Sequence, residues 1–193
     1  MALKPPAEVP QGAMRFNSDS HKLEFYAQDR WHEMDTYTHS LEGGTRGIYA
    51  MTYLPSPKDT IGTVTIQTQG NSVDFGNLTQ GRGMGGVGAS RTRAVWGGGG
   101  TPSKVATIDY VTISTKGNAS SFGSLSSTIG NNQGVGSNLT YGLHSGTNSE
   151  VGIDRFTMAT SGNGTDVGNL TANRWGSGGC SNMNYLLVVA GYD

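Results

Sequence analysis

The chain has one cysteine, Cys180, among 193 residues, so no disulfide within the chain supports the fold and no paired-thiol metal site can form. Charged residues make up 14% and the formal net charge is −1. That balance removes the electrostatic case for a nucleic-acid partner, and no basic stripe offsets it. Apolar residues reach only 34%, which argues against long buried helices and a thick continuous core. Nowhere do roughly 18 consecutive apolar residues occur, as a membrane-spanning helix needs. The start, MALKPP, has no apolar run of signal-peptide length, so neither a secretion signal nor a membrane span is expected. Glycine, by contrast, is abundant at 31 residues.

The glycines are periodic. Gly117-Asn118 recurs as Gly70-Asn71, 47 residues earlier, and as Gly162-Asn163, 45 residues later. Each pair is followed by the same step: Phe75-Gly76 with Leu78, Phe122-Gly123 with Leu125, Val167-Gly168 with Leu170. Ahead of each pair stands an alternating segment, VTIQT (64–68), VTIST (111–115) or FTMAT (156–160), with the period-two pattern of a half-buried strand. Glycine and asparagine then mark a turn, because both tolerate positive φ. A glycine-bearing strand closes each unit: Arg93 to Gly99, Tyr141 to Gly146, Tyr185 to Gly191. Each unit is expected to be a four-stranded antiparallel sheet.

The sequence thus predicts an all-β chain. Three internal repeats, at about 62–107, 108–152 and 153–193, stand in a pseudo-threefold, propeller- or prism-like arrangement. Residues 46–54 match the last strand of a repeat, giving four copies of that strand and three of the others; such a surplus strand protects an exposed sheet edge. The repeat domain spans 46–193. Before it come a Pro-rich extended arm (1–12, with Pro5, Pro6 and Pro10), a small β-meander (13–34) and a polar connector (35–45). In the meander, Phe16, Leu23, Phe25 and Trp31 are the candidates for a buried face. Three short strands are marginal in water alone, so this module is expected to lean on something else.

The meander sequence GAMRFNSDSHKLEFYAQDRWHEM resembles a module, G-A-x-R-F-N … K-L-E-x-Y … W-x-E, found near the N-termini of structural proteins of tailed bacteriophages, including tail fibres and virion appendages. The resemblance implies a virion location and attachment to other virion proteins, of capsid or tail, with Phe16, Leu23, Phe25, Tyr26 and Trp31 as candidate docking residues. The order Gly97 to Gly100, IDYVTI, aromatic-glycine-leucine is similar to kelch-type propeller repeats, more closely to the degenerate kelch-like repeats of cyanophage structural proteins. It departs from them at Ser145-Gly146, where kelch repeats have paired glycines, in lacking a mid-blade Trp, and in having three copies where propellers have about four to eight blades.

No catalytic constellation emerges. His21, His32, His39 and His144 lack metal-ligand spacing, and no HExxH or Ser-His-Asp pattern accompanies them. Asp109 and Asp154 recur at one repeat position, with Gly62 there in the first copy; a residue that recurs with the repeat is expected to be a structural contact, since catalysis needs one asymmetric constellation. Gly81 to Gly88 and Gly97 to Gly100 lack the strand-to-helix context of a phosphate cradle. No cofactor or metal is expected, and no enzyme activity. Three readings remain: a virion structural protein; a carbohydrate-binding module that contacts host surface glycan through Trp96, Tyr110 or Trp175, aromatic faces suited to sugar stacking; and an enzyme on a propeller-like scaffold, for which no residue constellation speaks. Repetition within one chain leaves a monomer or a homo-oligomer open.

Overall fold

The computed structural model describes residues 9–34, 44–52, 55–130, 134–147, 150–174, 176–182, 184–189 and 191. Trp175, His39, residues 1–8 of the arm and residues 35–43 of the connector lie outside them. The described residues contain sixteen strands and no helix, as glycine-rich, alternating segments with few helix formers dictate. The chain divides into two compact units, Met1–His39 and Ser40–Asp193.

The first unit is an antiparallel meander of β1 (Met14–Asn17), β2 (Lys22–Ala27) and β3 (Arg30–Glu33) in that order. The β2–β3 turn is the two residues Gln28 and Asp29, both at positive φ (51° and 58°), which matches the twist of a tight hairpin. Gly12 N–H donates to the Tyr26 carbonyl at 2.7 Å, and the Gln11 side chain accepts from Gln28 N–H at 3.1 Å, so the end of the arm is tied to this turn.

The second unit is a succession of small antiparallel sheets. The first holds β4 (Arg46–Tyr49), β5 (Thr60–Thr65) and β6 (Val73–Asn77). The next two have four strands each: β7 (Gly86–Ala89), β8 (Arg93–Gly97), β9 (Val105–Thr112) and β10 (Ser120–Ile129), then β11 (Val135–Ser137), β12 (Tyr141–Thr147), β13 (Glu150–Thr157) and β14 (Thr165–Asn169). A two-stranded sheet of β15 (Gly178–Ser181) and β16 (Leu186–Val189) ends the described chain. Within each sheet, chain neighbours pair.

The sheets are stacked, and a core fills each gap. Ile61, Phe75 and Leu78 of the first sheet meet Ala94, Trp96, Val111 and Ile113 of the second. Val95, Ile108, Phe122 and Leu125 on the second sheet's other face meet Phe156 and Met158 of the third. Strand alternation explains the division, since Val95 and Trp96 are adjacent on β8 and point to opposite faces. Fully burying each of these large side chains contributes about 2 kcal/mol.

One expectation is corrected. A sequence repeat is not a sheet: the glycine-rich strand pairs forward, β8 with β9 and β12 with β13, so each sheet takes the end of one repeat and the start of the next. Among the described residues every sheet is antiparallel and open. β4, β8, β12 and β16 hold equivalent places in the pairing order, β4, β8 and β12 each preceding the long strand they pair with.

Candidate functional site

On the meander, strand register sorts the side chains. Met14 pairs with Phe25, Phe25 with His32, and Phe16 with Leu23, which puts these residues on one face. Met14 is 60% exposed, Phe16 63%, Leu23 37% and Phe25 37%. The candidate docking residues Phe16, Leu23 and Phe25 therefore form one open apolar patch, extended by Met14. Tyr26 and Trp31 pair with each other on the opposite face and are half-buried, so the expectation that Trp31 shares a buried face with Phe16 is corrected by the register. Trp31 is covered by the Arg15 guanidinium at 4.1 Å, and Arg15 Nε and Asn17 Nδ2 donate to Glu24 at 2.7 and 2.9 Å. Those hydrogen bonds, from Asn17 and then Arg15, hold the Glu24 carboxyl below its ordinary range. One face is thus polar and satisfied, the other apolar and open.

In the second unit the recurring residues are inter-sheet clamps. Asp109 accepts from Thr79 N–H at 3.1 Å and Thr79 Oγ1 at 2.8 Å; Asp154 accepts from Ser126 N–H at 2.7 Å and Ser126 Oγ at 2.6 Å. Arg46 Nη1 donates to the Ile113 carbonyl at 2.7 Å and Arg93 Nη1 to the Met158 carbonyl at 3.2 Å. Ser137 Oγ accepts from Ala89 N–H at 2.8 Å and donates to the Ala89 carbonyl at 2.9 Å, and Ser181 treats Ser137 in the same way at 2.9 and 2.7 Å. The Gly117-Asn118 and Gly162-Asn163 turns each lie on the last strand of the sheet before them. Gly117 N–H donates to the Phe75 carbonyl at 3.0 Å, and Asn77 N–H to Asn118 Oδ1 at 3.0 Å; Ser124 N–H donates to Asn163 Oδ1 at 3.1 Å. The aspartates were legible from their period. The arginine clamp was signalled by Thr45-Arg46 and Thr92-Arg93; the serine clamp had no such signal, because the first member of its row is Ala89.

Three fully buried titratable residues of the second unit, Arg82, Asp109 and His144, stand close together. Arg82 Nη2 donates to Asp109 Oδ2 at 3.1 Å and to the Trp96 carbonyl at 3.2 Å. Burial lowers the Arg82 pKa, opposed by the charge of Asp109. His144 packs against Gly97 and is pushed down to about 3, by burial first and by the charge of Arg82 second. Arg82, Asp109 and His144 are all 0% exposed, so the cluster lies between packed elements and is closed to solvent. Among the described residues no three His, Cys, Asp or Glu gather at metal-binding distance, and no helix is long and apolar enough to cross a membrane.

The glycan-contact candidates do not converge. Trp96 is 1% exposed inside the first core and cannot stack on a sugar from solvent. Tyr110 is half-buried, with the Arg93 guanidinium 4.5 Å from its ring centroid and Phe122 edge-on at 5.8 Å. Trp175 lies outside the described residues. A cleft of about 400 Å³ opens elsewhere, between the third sheet and β15–β16, lined by Leu143, Arg155, Val167, Tyr185 and Leu186. No protein-family model matches the chain, and no curated protein matches it.

Proposed function

We propose that this chain is a structural component of a phage virion, a capsid decoration or a fibre or appendage protein. It docks on another virion protein through the arm and meander and displays the β-repeat unit outward. It is assembled in the host cytoplasm and performs no reaction. The carrying observation is the open apolar patch of Met14, Phe16, Leu23 and Phe25 on one face of a small three-stranded module. Burying Phe16 and Phe25 against a partner contributes about 2 kcal/mol each, and such anchored aromatics are the usual hot spots of an interface. The clamps of the second unit suit a display body, since the recurring polar residues are used to stack sheets. The pseudo-threefold, propeller- or prism-like arrangement belongs to this reading as the assembled form. The carbohydrate-binding alternative draws less support, because Trp96 is buried and the Tyr110 ring is covered.

The test is incorporation of the full chain into phage particles, quantified against the major capsid protein, beside the double variant Phe16→Asp, Phe25→Asp. Both residues are exposed, so the variant keeps its fold, and it should be lost from particles. A copy number near that of the capsid protein assigns the chain to the shell, and a handful assigns it to the tail. Absence of the unmodified chain from particles, or full incorporation of the double variant, overturns the reading.

A further inference from the structure

The two internal junctions of the sheet stack show what a complete junction contains. A Gly-Asn turn lies along the last strand of the preceding sheet, and the glycine of that strand makes room for it. A Cβ on Gly76 (φ +153°) would run into the Gly117 carbonyl, and a Cβ on Gly123 (φ +159°) into the Gly162 carbonyl. Beside the turn, a pair of apolar residues from the inner strand covers the aromatic and leucine of the preceding sheet. Val111 and Ile113 cover Phe75 and Leu78, and Phe156 and Met158 cover Phe122 and Leu125.

Each end of the stack carries one half of this junction. At the back, Gly168 keeps the same conformation (φ +150°), yet nothing lies within 4 Å of where its Cβ would be. All of β14 is exposed, Val167 is 45% exposed where Phe75 and Phe122 are 3%, and Leu170 is half-buried where Leu78 and Leu125 are buried. The cleft of about 400 Å³ at Leu143 and Val167 marks the missing layer. At the front, Gly70 has the φ of the docked turn glycine Gly117 (+156° against +151°), and its turn belongs to the first sheet, which has no sheet before it. Ile66, in register with buried Ile113 and Met158, is 65% exposed, and Val64 is half-buried. A glycine conformation that side chains rarely adopt is retained at Gly168 for a neighbour that the described residues do not supply.

We propose that these ends are complementary, so that a second copy of this chain docks head to tail, its Gly70-Asn71 turn on β14 and its Val64 and Ile66 over Val167 and Leu170. The chain's own front does not fill its own back. The middle sheet, packed on both faces, lies between them, and with stacked sheets about 10 Å apart the ends are about 20 Å from each other. The strand count adds a constraint. β4 and β16 are copies of one strand, and a complete junction sheet takes one of them. Ile48 and Ala50 pack on the first core with Met51, and Leu186 and Val188 of β16 lie against Gly136 and Gly134 of the third sheet; one of the two strands gives way when the joint forms. The joint is weaker than the internal ones, because Gly62 stands where Asp109 and Asp154 make their clamps, leaving Thr171 without an aspartate. A contact of this kind is heterologous, and it closes into a ring or extends as a filament according to the rotation it imposes.

The test uses purified full-length chain and stands apart from the virion reading. Sedimentation over a concentration series should show the unmodified protein associating. Ile66→Asp spoils the front and Val167→Asp the back; both residues are exposed in the single chain, so both variants fold, and each should weaken association at least about tenfold. An equimolar mixture of the two should recover a dimer, because each variant keeps the half that the other lacks, and the dimer should contain one of each. The proposal is overturned if the unmodified chain stays monomeric at high concentration, if both variants associate like the unmodified chain, or if the mixture does not pair.

Discussion

At the scale of the residue, glycine is what the stack is built around, and its three equivalent positions make an internal comparison. Gly76, Gly123 and Gly168 share a φ between +150° and +159°, but only the first two have a carbonyl pressed against the place of a Cβ. Gly168→Ala should therefore cost only the backbone strain, about 1–2 kcal/mol. Gly123→Ala should cost that and an overpacking penalty of about 1–3 kcal/mol more, measured by urea denaturation of each variant. His144 makes a second residue-scale case. Its folded pKa is pushed down to about 3, so below its ordinary 6.5 the unfolded chain binds a proton that the folded chain refuses. The stability contribution is complete above pH 6.5 and is lost as pH falls toward 3. Between pH 6.5 and 5, above the carboxylate range, unfolding free energy should drop by about 2 kcal/mol, a slope that chemical denaturation at several pH values reads directly and that should disappear in His144→Gln.

At the scale of the element, protection should follow how many faces of a strand are covered. β8 and β9 lie inside a four-stranded sheet with cores on both sides, and Val95, Trp96 and Ile108 are all but inaccessible. β15 and β16 form a two-stranded pair, held to β11 through the Ser137–Ser181 clamp, with β15 exposed throughout. An isolated hairpin of this kind is marginal. Amide exchange followed by mass spectrometry should find 178–189 exchanging by local opening at least about 100-fold faster than 93–112. Equal protection of the two would mean that β15–β16 is covered.

At the scale of the whole molecule, the character of the joint between copies should show in its salt response. The groups that meet are backbone amides, an asparagine, and Val64, Ile66, Val167 and Leu170, on a chain whose formal net charge is −1. Screening acts on charges, so the dissociation constant for self-association should change by less than about threefold between 50 mM and 500 mM salt, measured by sedimentation. A steep salt dependence would point to a different, charged contact surface.

The sequence by itself determined the element type, the period and the contacts that recur with it. Alternation of Val, Ile and Thr forces strands, glycine-asparagine pairs force turns, and an aspartate returning at Asp109 and Asp154 has to serve the repeat, because only a structural contact is needed once per unit. It left two things undetermined. A periodic sequence has no phase, so nothing in it marks whether the glycine-rich strand ends one sheet or begins the next; pairing of chain neighbours across the Gly98-to-Lys104 connection decided that, joining β8 to β9. Nor could it bring together Arg82, Asp109 and His144, which come from three different connections and strands and meet only when the sheets stack. The open ends belong to tertiary structure for the same reason. Phe122 and Val167 occupy one position of the repeat, and one is buried and the other exposed only because the first has a sheet above it.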